Sequence, residues 1–256
     1  MPLSIVGLVS VTQAAVITKP GTTPGTTPAT TPATTITTES FSGAANQLGA
    51  FTPSSTDLAQ NGSSALLSST ITNGGFFSDS GADDLGNGVI TNANGTRGVF
   101  LSPSLNGGSF PSVFDLTFDT SVNTLGYDIS EISTFAAWVN NGASLANQLY
   151  TLEYSVVGDA SFVSLGQTDF TPFDDETEET SGATRVTHTG GNGTIIASGV
   201  DAIRITFLDH GVENGGTDGT VFQEVDVIGV ATVVPEPSST ALVGLGGLAL
   251  LLRRRK

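Results

Sequence analysis

Apolar and polar residues alternate at several places along the middle of this chain. Phe114, Leu116 and Phe118 face one way, with Asp115, Thr117 and Asp119 between them. Tyr150, Leu152, Tyr154 and Val156 alternate with Thr151, Glu153 and Ser155. Ile203, Ile205 and Phe207 enclose Arg204 and Thr206, and Val225 and Val227 follow Glu224 and Asp226. A period of two predicts half-buried strands, each with its polar set toward solvent. Shorter apolar runs add Val99–Ser102, Val122–Ile129, Phe135–Val139, Ser161–Leu165, Arg185–His188 and Thr194–Ala197. Clusters of Gly, Asn and Asp separate them, as turns require. Helical periodicity is confined to short pieces near Ala44–Leu48 or Ser63–Leu67. About ten strands with no long helix predict an all-β, antiparallel β-sandwich over residues 39–232.

Two flanking segments break this pattern. Residues 18–38 repeat Thr-Thr-Pro-Gly/Ala, with proline at every fourth position and little apolar bulk. Such a segment cannot build a core, and it is expected to be a disordered, solvated linker, either bare or O-glycosylated. Residues 1–17 hold the run Leu3–Val11, similar to the apolar core of a secretory signal, with small residues at Ala14 and Ala15 for cleavage. No Lys or Arg precedes that run, so a truncated start is the expectation.

Residues 233–256 are different again. Val234-Pro235-Glu236-Pro237 interrupts any preceding strand, because two prolines restrict the backbone around a single glutamate. An apolar stretch from Ala241 to Leu252 follows, and Arg253, Arg254, Arg255 and Lys256 end the chain. From Ser238 to Leu252 a helix would rise roughly 22 Å, short of a hydrocarbon core of about 30 Å. Snorkelling arginines would supply part of the difference. The basic cluster would hold this end on the cytoplasmic side and leave the main body outside.

Composition sharpens the picture. The chain has 256 residues and no cysteine, which excludes disulfides, thiolate metal sites and a cysteine nucleophile. Four of its 8 basic residues are the last four. Between residues 39 and 232, Arg97, Arg185 and Arg204 stand against 23 acidic side chains. That surface repels phosphate backbones and excludes a nucleic-acid partner. It suits cations instead, and calcium prefers oxygen ligands.

Four constellations are candidates for chemistry. Asp79–Gly88 packs Asp79, Asp83, Asp84 and Asn87 into a glycine-rich loop of the kind that can wrap calcium, or is a solvated turn. Asp174–Glu179 reads as an exposed acidic loop or a weak cation site. Trp138, followed by Asn140 and Asn141, could stack on a sugar ring and bind its hydroxyls, or could belong to the core. His188 and His210 lack metal-ligand spacing, and there is no Gly-x-Ser-x-Gly elbow. The expectation is a protein that is not an enzyme.

Two resemblances follow from these residues. The tail, with Val234, Pro235, Glu236, Pro237, its Leu- and Gly-rich helix and Arg253–Arg255, resembles the PEP-CTERM sorting signal of Gram-negative bacteria. That resemblance implies an exported protein, held by a short C-terminal transmembrane helix at the inner membrane and cleaved there by the protease exosortase. It then implies release to the cell surface or extracellular matrix, alongside exopolysaccharide and biofilm. The second resemblance rests on Gln148–Ser155 with Ser161–Gly166, and on Val200–Phe207 with Phe222–Gly229. These are similar to strands of discoidin-like, galactose-binding-like jelly rolls, which implies a jelly-roll-like sandwich and a carbohydrate-binding module as an alternative function. In that group a loop before the first long strand and a Glu on the last strand share a structural calcium. The resemblance gives those roles to Asp83 or Asp84 together with Glu224.

Overall fold

The structure, a computed structural model, describes residues 11–13, 34–42, 51–73, 75–76, 85–90, 99–101, 110–139, 142–173, 181–191, 194–210, 213–214 and 217–233. Its strands are β1 (Val11–Gln13), β2 (Thr34–Ser42), β3 (Leu66–Thr72), β4 (Gly75–Phe76), β5 (Val99–Leu101), β6 (Ser112–Phe118) and β7 (Tyr127–Val139). They continue with β8 (Gln148–Val156), β9 (Val163–Phe170), β10 (Ser181–Gly190), β11 (Ala197–Phe207), β12 (Glu213–Asn214), β13 (Thr217–Asp218) and β14 (Thr220–Ala231). A 3-10 turn at Ala143–Ala146 is the helical piece between β7 and β8.

The strand pairs among the described residues are antiparallel, and apart from the separate β12–β13 pair and the short β1 beside β2 they form two layers. One layer runs β2-β10-β7-β14-β5-β4, and the other β3-β6-β11-β8-β9. The layers join where β7 meets β11, at Ala197↔Ile129 and Val200↔Tyr127. Between them lies the main core. Phe114, Leu116 and Phe118 of β6, Leu152 of β8 and Ile203, Ile205 and Phe207 of β11 come from one layer. Ile132, Ala136, Val186, Phe222, Val225 and Val227 come from the other. The Phe207 and Phe222 rings meet across the core at 4.2 Å between centroids. This is the antiparallel β-sandwich that the alternation predicts.

The period-two pattern is obeyed strictly in β6, where buried and half-buried residues alternate over all seven positions. Some boundaries move. The turn before β7 extends to Gly126, whose φ is +76°, and Val122 is 83% exposed, so the strand expected from Val122 starts at Tyr127. Ser63–Ala65 is a turn and β3 begins at Leu66, so the helical piece near Ser63–Leu67 does not form. β9 and β11 start at Val163 and Ala197, two and three residues later than the apolar runs suggest. β2 begins at Thr34, inside the Thr/Pro segment, because Thr34–Thr38 carries no proline and pairs with Val186–Gly190. Threonine favours strands once no proline removes a ladder donor.

The largest departure is β14. Its first eight residues are all buried, including Glu224 and Asp226, which the alternation places toward solvent. Val225 and Val227 do face the main core. The opposite face is covered by two irregular segments, 51–60 and 85–90. Phe51 and Ile90 pack with Phe135, Ala137 and Ala183 on that outer face, while Leu58 and Leu85 reach the main core. No helix among the described residues is long and apolar enough to cross a membrane. The short tail helix expected after Pro237 lies outside the described residues, as do the linker at 14–33 and the piece at Ala44–Leu48.

Candidate cation centre on the last strand

Glu224 and Asp226 are two residues apart on β14 and so share a face. Asp57, on the segment that crosses this face, completes a group of three. One carboxylate oxygen from each lies within 4.8 Å of the others. All three side chains are buried, at 6% exposure for Asp57, 0% for Glu224 and 3% for Asp226.

Each carboxylate is fixed by backbone N–H groups. Asp57 Oδ1 accepts from Ala59 at 2.8 Å and from Val227 at 2.6 Å. Glu224 Oε2 accepts from Gly88 at 2.7 Å and Val89 at 3.2 Å. Asp226 Oδ2 accepts from Ser54 at 2.6 Å. The loop reaches Glu224 because of two glycines. Any Cβ at Gly86 would come within 2.5 Å of the Ala59 carbonyl, and Gly88 has φ +71°.

The second oxygen of each is different. Asp57 Oδ2, Glu224 Oε1 and Asp226 Oδ1 are buried and have no hydrogen-bond partner. Burial pushes Glu224 up to about 9, with repulsion from Asp226 and then Asp57 adding to it. Burial also raises Asp57 to about 7 and Asp226 to about 6, against the pull of their N–H donors. Arg185 offsets part of the Asp226 shift, but its guanidinium is ion-paired with Glu39 and sits over the Phe51 ring. Buried charge without a partner is costly, so three clustered acids need either protons or a cation.

The donor set decides which cation fits. It contains oxygen only, with no histidine or cysteine, and it is anionic and irregular. A hard divalent ion with flexible coordination matches those properties, and calcium is such an ion. The residues present therefore fit calcium, with Asp57, Glu224 and Asp226 as the ones that would hold it.

Of the residues the sequence singles out, Glu224 is in this centre. Asp83 and Asp84 lie outside the described residues, as do Asp174–Glu179, Asn140, Asn141 and the motif residues from Val234 onward. Trp138 is half-buried and packs against Leu145 and Val221. His188 is buried in the core, where Nε2 meets Tyr150 Oη at 2.9 Å and Thr168 Oγ1 at 3.1 Å. His210 Nε2 lies 2.9 Å from the Gly219 carbonyl oxygen. Sequence reasoning missed Asp57 and Asp226. The available signal was a pair of carboxylates at i and i+2 on the closing strand, at positions that the alternation assigns to solvent.

Beside Asp57 opens a polar cleft of about 590 Å³, lined among others by Ser55, Gln60, Asn61, Ser63, Asn123 and Tyr127. β14 ends next to this cleft, where Ala231 pairs with Tyr127 and Thr232 N–H donates to the Gly126 carbonyl at 2.9 Å.

The class is thus an all-β sandwich with a buried acidic centre and a C-terminal extension beyond β14. That extension, residues 233–256, matches the PEP-CTERM protein-sorting motif. The motif implies export, transient anchoring at the membrane and processing by an exosortase. Among solved structures, the chain is similar to the C-terminal domain of a chitobiase from Bacteroides fragilis. There the identity is 22%, the match covers 66% of this chain and 94% of that one, and the TM-score is 0.36. It is also similar to an F5/8 type C domain from Bacteroides fragilis, at 11% identity over 66% of this chain and 97% of that one, with a TM-score of 0.33. No curated protein matches the chain.

Proposed function

We propose that this protein is a non-enzymatic component of the cell surface or extracellular matrix, of the kind associated with exopolysaccharide and biofilm, whose sandwich domain carries a structural calcium. The observation that carries the export half is the sorting motif at 233–256. The support for calcium is the trio Asp57, Glu224 and Asp226 with its three unmatched buried oxygens. The residues act by holding and shielding: the backbone of 54–59 and 88–89 orients the carboxylates, and Phe51 and Ile90 pack beside them. Calcium, when bound, supplies the positive charge the cluster lacks.

The test is expression of the full chain with and without an exosortase in a Gram-negative host. The expected mature product ends within Val234–Pro237 and fractionates with surface material. Full-length protein through Lys256, retained in the inner membrane, would contradict the reading.

A second reading is a carbohydrate-binding module, favoured by the polar cleft and by half-buried Trp138. Trp138→Ala would then abolish retention on a polysaccharide column. Released reducing ends, lost on changing one carboxylate, would point to an enzyme instead.

A further inference from the structure

We propose that calcium at the Asp57–Glu224–Asp226 centre is a clasp: its binding closes segments 51–65 and 85–90 onto β14, so the domain completes its fold only where free calcium is plentiful, outside the cell. This rests on the calcium reading above and concerns what that ion controls.

Residues 51–65 contain no strand, and 85–90 contain none either. Their described hydrogen bonds to β14 run through the carboxylates themselves: Ser54 to Asp226, Val227 to Asp57, and Gly88 and Val89 to Glu224. One backbone bond, Leu58 N–H to the Val227 carbonyl at 2.8 Å, stands beside them. The sandwich is held differently, by backbone ladders: β11–β8 contains none of the trio, and in β14–β7 Glu224 and Asp226 pair through their backbones while their carboxylates accept from the two segments. Charge repulsion within the trio therefore acts at the joint between segments and sheet, where a cation reverses its sign.

Asp57 and Val227 are 170 residues apart, so the centre exists only after nearly the whole domain has emerged and β14 has docked. Extracellular calcium modules bind at about 10⁻⁴–10⁻³ M, far weaker than cytosolic calcium buffers. A site of that class is empty inside the cell and filled outside. At ten times Kd the closed form gains about elevenfold over the open one. Closure also builds the polar cleft, since one wall is Ser55–Ala65 and the other is Asn123 and Tyr127.

Hydrogen exchange on the full chain, in 5 mM calcium chloride and in EDTA, with calorimetry on the same samples, tests this. The expected result is that the amides of Ser54, Ala59, Gly88, Val89 and Val227 exchange about tenfold or more faster in EDTA. Amides of β6, β8 and β11 keep their protection. Glu224→Gln, or Asp226→Asn where that variant does not fold, should exchange at the EDTA rate in either buffer. Calcium that binds without protecting these amides would overturn the clasp and leave the site standing. Loss of protection spread equally over β6, β8 and β11 would also overturn it. Absence of calcium binding would sink the site and the clasp together.

Discussion

Two clusters of polar side chains are buried in this domain, and they are solved in opposite ways. Inside the sandwich, Thr134, Gln148, Tyr150, Thr168, Thr184 and His188 form a neutral network. Thr134 Oγ1 donates to Gln148 Oε1 at 2.6 Å, Gln148 Nε2 donates to Thr184 Oγ1 at 2.8 Å, and Tyr150 Oη meets His188 Nε2 at 2.9 Å. Hydroxyl, amide and imidazole partners satisfy one another, and His188 Nδ1 is the one atom of these left without a partner. On β14 and the segment crossing it, three carboxylates are likewise buried, and each keeps one oxygen unmatched. Apart from that one nitrogen, donors and acceptors in the first cluster balance, so it needs no charge from outside. The second has acceptors only, so it needs protons or a cation to be neutralised.

The comparison can be broken at either cluster. The largest expected effect is acid sensitivity of the neutral one. Burial lowers His188 to about 4, and its partners Tyr150 and Thr168 are uncharged. The folded state then binds fewer protons than the unfolded state between about pH 6.5 and pH 4. Its contribution is complete above about pH 6.5 and is lost as pH falls through that window, by about 3 kcal/mol in all. The raised carboxyls of the trio titrate in the same range with the opposite sign, so the reading is the difference in urea midpoints between wild type and His188→Gln, which should change by that amount between pH 7 and pH 4.

Next is calcium. At a hundred times Kd it should add about 2.7 kcal/mol and raise the melting temperature by about 5–10 °C. Asp226→Asn should remove most of that shift, and equal shifts in both proteins would erase the contrast between the clusters. Thr134→Val comes third: it strips a donor from Gln148 and should cost about 2 kcal/mol with or without calcium, read from urea melts. The smallest effect belongs to a pair outside both clusters. Arg204 bonds Asp115 at 2.7 Å and 2.9 Å on the half-exposed face of β11 and β6. Asp115→Asn should therefore cost under about 1 kcal/mol.

How legible each region was in the sequence follows from what covers it. β6 is read correctly because one face meets the core and the other meets solvent, so period two survives intact. β14 carries the same period, yet its outward acids are buried. The cover comes from 51–60 and 85–90, which have no periodicity to read. Glu224 was reached through a resemblance to jelly rolls. Asp57 was not, because nothing local in Thr56-Asp57-Leu58 distinguishes a buried ligand from a turn residue. The neutral network was invisible for a related reason: Gln148, Thr134 and His188 are far apart in sequence and each looks like an ordinary strand residue. The sorting motif was legible outright, because its order of Pro-Glu-Pro, apolar run and arginines is contiguous and needs no fold.

Whether Asp57, Glu224 and Asp226 act as the proposed cation site is a question of binding. Calorimetric titration of calcium into the chelator-treated full chain tests it most directly. The expected result is saturable binding of one equivalent to the wild-type protein and loss of that binding in Glu224→Gln. Absence of binding to the wild type, or binding of the same strength to both proteins, would contradict it.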